Sequence, residues 1–198
     1  MSNLLAFPMY AVDRADTRAL WLAVQQRLAD RGVYVERDPR WPESDLLNHW
    51  QQPALILSQT CGYPLVTQLP EVQVVGYHAL RKKVAPWVTR DPFFSQTSFS
   101  GSHRQSLIDV KRGKGDIAAI DCVTWALLQR HEPEALAGLT VIDQTPLTPG
   151  LPLITSPHTP PDALNAIRDA LHALVTVPEH RAVCDAVLIG GFSVVTRQ

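Results

Sequence analysis

The sequence lacks the runs and motifs that identify membrane proteins and most enzyme classes. No stretch approaches the roughly 18 continuous apolar residues of a transmembrane helix, so no membrane span is expected. The phosphate-binding patterns G-x-G-x-x-G and G-x-x-x-x-G-K-[ST], the nucleophile motif G-x-S-x-G and the zinc motif H-E-x-x-H are absent. We therefore expect no catalytic residue, no cofactor and no metal, and predict that the chain is not an enzyme.

Cysteine and basic residues are also scarce. Cys61, Cys122 and Cys184 stand far apart and form no C-x-x-C pair, which indicates reduced thiols. The 18 Lys and Arg residues against 19 Asp and Glu give a net charge of −1, which argues against a nucleic-acid partner. No basic segment precedes the first apolar run, so the sequence as given predicts a cytoplasmic protein.

The sequence does contain short apolar runs that alternate with amphipathic segments. The runs predict strands at 4–10, 33–37, 54–58, 72–75, 93–99, 116–121, 139–144 and 151–155. Apolar residues at helical spacing predict helices over 16–31, 42–50, 77–88, 101–112, 123–130, 162–176 and 179–188, the last ending at a Gly pair. This alternation predicts an α/β fold with a mostly parallel sheet.

The first candidate site is the polar segment 58–64, which follows the third apolar run. Ligands of open α/β sheets bind outside the carboxyl ends of the strands. Gln59 and Thr60 offer side-chain donors and acceptors, Gly62 permits a tight turn, and Tyr63 offers a flat face with a hydroxyl. The alternative is a tight strand-to-helix turn around a buried cysteine.

Two further candidate sites lie at the starts of predicted helices. The first comprises Ser100, Gly101, Ser102 and His103. Backbone N–H groups at such a helix start favour an anion, although Ser100 alone would serve as an ordinary N-cap. Asp121 ends an apolar run and is either the N-cap of the next helix or an acceptor for a ligand amine or hydroxyl.

Four segments together resemble a known family. They read FPMY at 7–10, SQTCGYPLVTQL at 58–69, SFSGSHRQSLIDVKRGKGDIAAIDCVTWALLQRHEP at 98–133 and TPLTPGLPLITS at 145–156. Nearly from end to end, the chain resembles the phosphate/phosphonate-type ABC-transporter solute-binding proteins, which have the type II periplasmic-binding-protein fold.

The resemblance implies two α/β lobes, residues 1–76 with 145–198 and residues 77–144. It also implies a non-catalytic protein that binds a phosphate-like, phosphonate-like or other small polar solute, with an ABC-transporter permease as partner and a periplasmic location. The residues that it places in the ligand cleft are Tyr10, Thr60, Cys61, Gly62 and Tyr63 of the first lobe and Ser100, Gly101, Ser102, His103 and Asp121 of the second.

The chain departs from the family pattern after Gly76. The family continues there with a hinge strand, a βα unit and a Ser-rich helix start, whereas here Val75-Gly76 runs directly into Tyr77. The join removes at least one βαβ-sized piece, ~30 residues or more. The second lobe is therefore expected to be shortened.

Two other functions remain open from the residues. Cys61 with one of the seven histidines would suit a thiol-dependent enzyme. Alternatively, the chain is a degenerate or interacting paralogue without a transport role, in which a shortened lobe exposes apolar surface that a homodimer covers.

Overall fold

Two units make up the chain in a computed structural model that describes residues 3–42, 45–80, 96–144 and 150–194. One unit consists of Met1–Arg81 with Pro149–Gln198, and the other of Lys82–Thr148. The first unit is discontinuous because the chain leaves it after one strand and returns to it on another.

The first unit contains a five-stranded mixed sheet. Its strands are β1 (Leu4–Ala6), β2 (Leu55–Gln59), β3 (Gln73–Leu80), β4 (Gly150–Thr155) and β5 (Ile189–Ser193), in the order β1-β2-β4-β3-β5. Only β1 and β2 pair in parallel, whereas β2 with β4, β4 with β3, and β3 with β5 are antiparallel. The predicted mostly parallel sheet is wrong, because the chain leaves on β3 and returns on its neighbour β4, so the two strands run in opposite directions.

Seven α-helices lie in the described residues. They are α1 (Arg14–Ala29), α2 (Leu46–Trp50), α3 (Gly62–Thr67), α4 (His103–Lys111), α5 (Cys122–His131), α6 (Pro161–Thr176) and α7 (Arg181–Ala186). The helices predicted over 16–31, 101–112, 123–130 and 162–176 are confirmed to within two residues at each end, and the one over 42–50 is confirmed in its second half.

The long helix α1 forms where its apolar spacing predicts it. Asp13 caps the helix by accepting a 2.9 Å hydrogen bond from the Asp16 backbone N–H, which satisfies a donor that the first turn leaves open. Its buried stripe includes Trp21, whose indole Nε1 donates to the Leu5 carbonyl of β1 at 2.8 Å. The helix also packs against α6 and α7, so the two ends of the chain meet within this unit.

A compact apolar cluster joins α2 and α3 to the sheet. Its buried members are Leu4, Trp50, Leu55, Leu65, Leu69, Val72, Val74 and Ile154. Full burial of one such side chain stabilises the fold by about 1.5–3 kcal/mol, so the cluster holds both short helices against the end of β2.

The strand β3 replaces part of a predicted helix. Residues 77–80 of the helix predicted over 77–88 are strand, and residues 81–88 lie outside the described part of the chain. These residues form a strand instead of a helix because β3 pairs with β4 on one side and with β5 on the other. Gly76 is essential to this packing, since a Cβ there would stand 2.5 Å from the Ser193 carbonyl oxygen and 2.6 Å from the Phe192 ring.

Three further predictions in this unit are wrong in part. The first strand ends at Ala6, because Pro8 opens a 3-10 turn over Pro8–Tyr10. The strand predicted at 33–37 is only an isolated bridge between Val35 and Asn3. The last helix is a 3-10 turn followed by α7, and the Gly pair lies within β5.

The second unit is helical in its described residues. The segments 116–121 and 139–144 and residues 96–99 have no strand assignment there, and residues 93–95 lie outside the described part. The predicted strands therefore fail in this unit: a strand needs a partner, and the described residues supply none. Across the described chain, no helix is long and apolar enough to cross a membrane.

Candidate functional site

Three consecutive polar residues are fully buried at the carboxyl end of β2. Ser58, Gln59 and Thr60 each have 0% exposed surface. Polar groups at such depth need hydrogen-bond partners. The segment that follows is the short helix α3, so the predicted polar loop is instead a strand end joined to a helix start.

Most polar groups of this strand end are satisfied. The Trp50 indole donates to the Gln59 carbonyl at 2.8 Å, and the Thr60 N–H donates to the Pro152 carbonyl at 3.0 Å. The Ser58 hydroxyl lies 3.2 Å from His49 Nε2. The exception is the Gln59 side chain, of which neither Oε1 nor Nε2 has a partner among the described residues.

The surroundings of the His49 imidazole favour its neutral form. Burial lowers its pKa below the ordinary 6.5, and the nearby positive charge of Arg40 acts in the same direction. A neutral ring can either donate to the Ser58 hydroxyl or accept from it.

The 3-10 turn after β1 brings Met9, the neighbour of Tyr10, into contact with Cys61. The Cys61 thiol lies 3.7 Å from the Met9 sulfur, and Tyr10, next to Met9, is buried. Gly62, the first residue of α3, is exposed. The side chain of Tyr63 lies outside the described part of the structure.

The second group of predicted site residues surrounds the start of α4. Ser102, not Ser100, is the N-cap, because its hydroxyl accepts from the Gln105 N–H at 3.1 Å. The Ser100 hydroxyl donates to the Ser102 carbonyl at 2.9 Å and lies 2.6 Å from the Ser106 hydroxyl. Gly101 has a φ of 90°, a left-handed conformation that favours glycine. The assignment of the cap to Ser100 is therefore wrong.

Asp121 divides its two carboxylate oxygens between two roles. Oδ1 accepts from the Val123 N–H at 3.0 Å and from the Thr124 N–H at 2.9 Å, which makes Asp121 the N-cap of α5. Oδ2 is buried and has no hydrogen bond within the described part of the chain, although His103 Nε2 lies 3.3 Å away as an ion-pair partner when protonated. Capping thus leaves Oδ2 as an acceptor.

The neighbouring guanidinium of Arg104 is already engaged. It forms a two-bond pair with Glu132, at 2.6 and 2.8 Å. This hydrogen bonding raises the pKa of Arg104 and lowers that of Glu132. Arg104 therefore ties the start of α4 to the end of α5.

The residues fall into two groups, each within one unit. The first unit holds Tyr10, Thr60, Cys61 and Gly62 together with Gln59, and the second unit holds Ser100, Gly101, Ser102, His103 and Asp121. Among the described residues, no three His, Cys, Asp or Glu side chains cluster closely enough to hold a metal ion. Gln59 is absent from the predicted ligand set because its burial cannot be read from a polar run.

Residues 74–198 match the family model of the ABC-transporter phosphonate periplasmic substrate-binding proteins. The chain belongs to this family. It is a family of substrate-binding proteins for small solutes, as the resemblance implied. A search of the curated proteins found no match.

Two solved structures show the same fold as this family member. PhnD1 from Prochlorococcus marinus, solved in complex with methylphosphonate, is 12% identical to this chain, with a TM-score of 0.66. The match covers 93% of this chain and 89% of PhnD1. A chloride-bound protein from Xanthomonas citri is 11% identical, with a TM-score of 0.57 and coverages of 98% and 92%. The mixed α/β fold of type II periplasmic-binding proteins is thereby confirmed.

Proposed function

We propose that this chain is a non-catalytic binding protein for a small solute with a phosphonate or phosphate head group, related to the solute-binding component of an ABC transporter. Family membership supports the general role. The observation that carries the specific proposal is Asp121, whose buried Oδ2 remains an acceptor after Oδ1 has capped α5.

The start of α4 adds the charge that an anionic head group needs. His103 is its first residue, and its ring contacts the Asp121 carboxylate at 3.3 Å. The N–H groups of a helix's first turn favour negative charge. A protonated imidazole would add a donor to the same place.

The end of β2 supplies the proposed contacts in the first unit. Thr60 is buried there and Cys61 follows it, with its thiol 3.7 Å from the sulfur of Met9, the residue before Tyr10. Gly62 and Tyr63 begin the next helix. These residues present hydroxyl, thiol and backbone groups, which suit recognition more than reaction.

A carboxylate acceptor beside a cationic donor suits a solute that carries both signs of hydrogen-bonding group. A phosphonate with a nearby amine or hydroxyl offers anionic oxygens to His103 and a donor to Asp121 Oδ2. A solute with acceptors alone makes no hydrogen bond to that oxygen, which keeps only its contact with the His103 ring among the described residues, so such a solute should bind more weakly.

Calorimetric titration with methylphosphonate, 2-aminoethylphosphonate, inorganic phosphate and sulfate tests this proposal. We expect the phosphorus compounds to bind and the amine-bearing one to bind most tightly. Asp121→Asn keeps a capping oxygen but removes the charge, so it should abolish the advantage of the amine. Asp13→Asn is the matched control, because Asp13 caps α1 by the same chemistry. The absence of any binding to the phosphorus compounds would overturn the proposal.

A second candidate function, self-association, is favoured by exposed apolar side chains of the second unit. Ile142 is 71% exposed and Val141 48%, and within the described residues no strand pairs with their segment. Loss of a βαβ piece from this lobe would leave such segments uncovered, and a second copy of the chain would cover them. Light scattering tests this candidate: a dimer that Ile142→Lys dissociates supports it, and a monomer at high protein concentration contradicts it.

A further inference from the structure

The Gln59 side chain is an unpartnered amide in the interior of the first unit. Gln59 is the last residue of β2 and has 0% exposure. Both Nε2 and Oε1 are shielded from solvent, and neither has a hydrogen-bond partner in the described part of the chain. An amide in that position has given up its bonds to water without replacing them, which costs stability.

Within residues 58–60, all of them described, the deficiency is confined to the Gln59 side chain. The Ser58 hydroxyl has His49 as its partner, the Gln59 carbonyl accepts from Trp50, and the Thr60 N–H donates to Pro152. The strand end is therefore well ordered around an amide that remains without partners.

Gln73, another glutamine of this unit, has the hydrogen-bond partners that the Gln59 side chain lacks among the described residues. Its Nε2 donates toward the carbonyls of Ser156, Pro157 and Thr159 at 3.0, 3.2 and 3.1 Å. That amide fastens the start of β3 to the turn after β4. The Gln59 side chain makes no comparable bond among the described residues. Its buried amide therefore needs a partner from outside that part of the chain.

We propose that the Gln59 amide is a specificity-determining group of the solute site, which donates through Nε2 to an oxyanion and accepts through Oε1 from a proton on the same head group. This inference rests on the proposed function and extends it to the protonation state of the solute. Gln59 lies directly before Thr60 and opposite Leu153 of β4.

The chemistry of an amide determines which head group it recognises. A primary amide presents one donor and one acceptor side by side. A monoprotonated phosphonate or phosphate ester matches it, because an anionic oxygen lies next to a hydroxyl. A sulfonate has acceptors only, so it offers no hydrogen to Oε1. Its oxygens would instead face the lone pairs of Oε1, which is unfavourable. Gln59 therefore selects protonated phosphorus oxyanions over sulfonates of the same shape.

The probes for the experiment are methylphosphonate and methanesulfonate, titrated into the wild-type chain, Gln59→Leu, Gln59→Met and the control Gln73→Leu. We expect the wild type to prefer methylphosphonate by at least about 10-fold, as one unpaired buried group costs that much or more. Both Gln59 variants should reduce this ratio toward one, whereas Gln73→Leu should preserve it. The Met variant covers the case in which the branched Leu does not pack.

Stability without solute provides an independent measurement. Removal of an unpartnered buried amide should raise the Tm of Gln59→Leu or Gln59→Met by about 2–4 °C. Gln73→Leu should lower the Tm, because it removes bonds that exist. If a Gln59 variant has a lower Tm and an unchanged preference for methylphosphonate over methanesulfonate, the amide has a structural role. That result overturns this inference and leaves the proposed function intact. Failure of the wild type to bind either phosphonate or phosphate overturns the proposed function, and the ligand role of Gln59 with it.

Discussion

His103 Nε2 lies 3.3 Å from Asp121 Oδ2, and this contact joins the starts of two helices. His103 is the first residue of α4, and Asp121 is the N-cap of α5. The N-terminal ends of both helices are therefore linked through one carboxylate. This arrangement keeps an acceptor at a buried position where an uncompensated charge would be costly.

The capping role of Asp121 can be separated from its charge. Asp121→Ala should lower the free energy of unfolding by about 1 kcal/mol, because the Val123 and Thr124 N–H groups lose their acceptor. Asp121→Asn should lower the free energy of unfolding much less, because its amide oxygen still caps the helix. Urea unfolding of the three proteins measures the difference, and equal losses in the two variants would contradict the capping assignment.

The stability of the first unit should fall on mild acidification because of His49. Its pKa is lowered in the fold by burial and Arg40, so the unfolded chain binds a proton there first. The stabilisation is complete above the ordinary pKa of 6.5 and is lost as the pH falls through the lower folded value.

Thermal unfolding of the wild type and His49→Gln between about pH 7.5 and 5.5 tests this pH dependence. The Tm of His49→Gln should fall less than that of the wild type over that pH interval. His172→Gln removes an exposed histidine of α6 and should behave as the wild type. The same pH response in wild type and His49→Gln would show that another group is responsible.

The Arg104–Glu132 pair should stabilise the second unit modestly. Both side chains are more than a third exposed, so we expect Glu132→Gln to cost less than about 1 kcal/mol. Hydrogen bonding to Arg104 lowers the pKa of Glu132, so the contribution is present above the ordinary 4.5 and disappears as the pH falls through the folded value.

Chemical denaturation at neutral and acidic pH measures this contribution. The difference between wild type and Glu132→Gln should shrink in acid, and Glu134→Gln, a change at an exposed acid nearby, should have little effect at either pH. A difference that grows in acid would contradict the assignment.

Gly76→Ala should destabilise the sheet. Its Cβ would stand 2.5 Å from the Ser193 carbonyl oxygen, a backbone atom that moves only with β5. Overpacking of this kind costs about 1–3 kcal/mol. In Gly115→Ala the nearest atom is 4.0 Å away, so that control should unfold near the wild-type temperature. A Tm for Gly76→Ala equal to that of the control would contradict the close packing.

The helices could be predicted from the sequence to a large extent, because their signals are local. The Leu20–Val24–Leu28 spacing predicts α1 to within two residues of its observed bounds. The start of β3 agrees with the strand predicted at 72–75. Its continuation over Tyr77–Leu80 could not be predicted, since these residues also fit a helical stripe and only pairing with β4 and β5 decides between the two. Strand direction likewise depends on the route of the chain between units.

The candidate site was predictable in its position but not in its chemistry. A polar run after an apolar strand identifies the end of β2, and an Asp before a helix identifies Asp121 as a cap or an acceptor. Burial and hydrogen-bond satisfaction were not predictable. Ser58 and Gln59 are both polar in the sequence, yet the Ser58 hydroxyl has His49 as a partner, whereas the Gln59 side-chain amide has none among the described residues.

Amino-acid order thus specified the helices, the family and the segments that carry polar groups, because spacing, caps and motifs act over a few neighbouring residues. Tertiary structure alone decided that the sheet is mixed, that Ser102 caps α4 and that Asp121 uses one oxygen for its helix and keeps the other as an acceptor. It also decided that the Gln59 amide is buried with no partner in the part of the chain that the structure describes. These outcomes depend on which distant groups reach a given atom, and that is a property of packing in three dimensions.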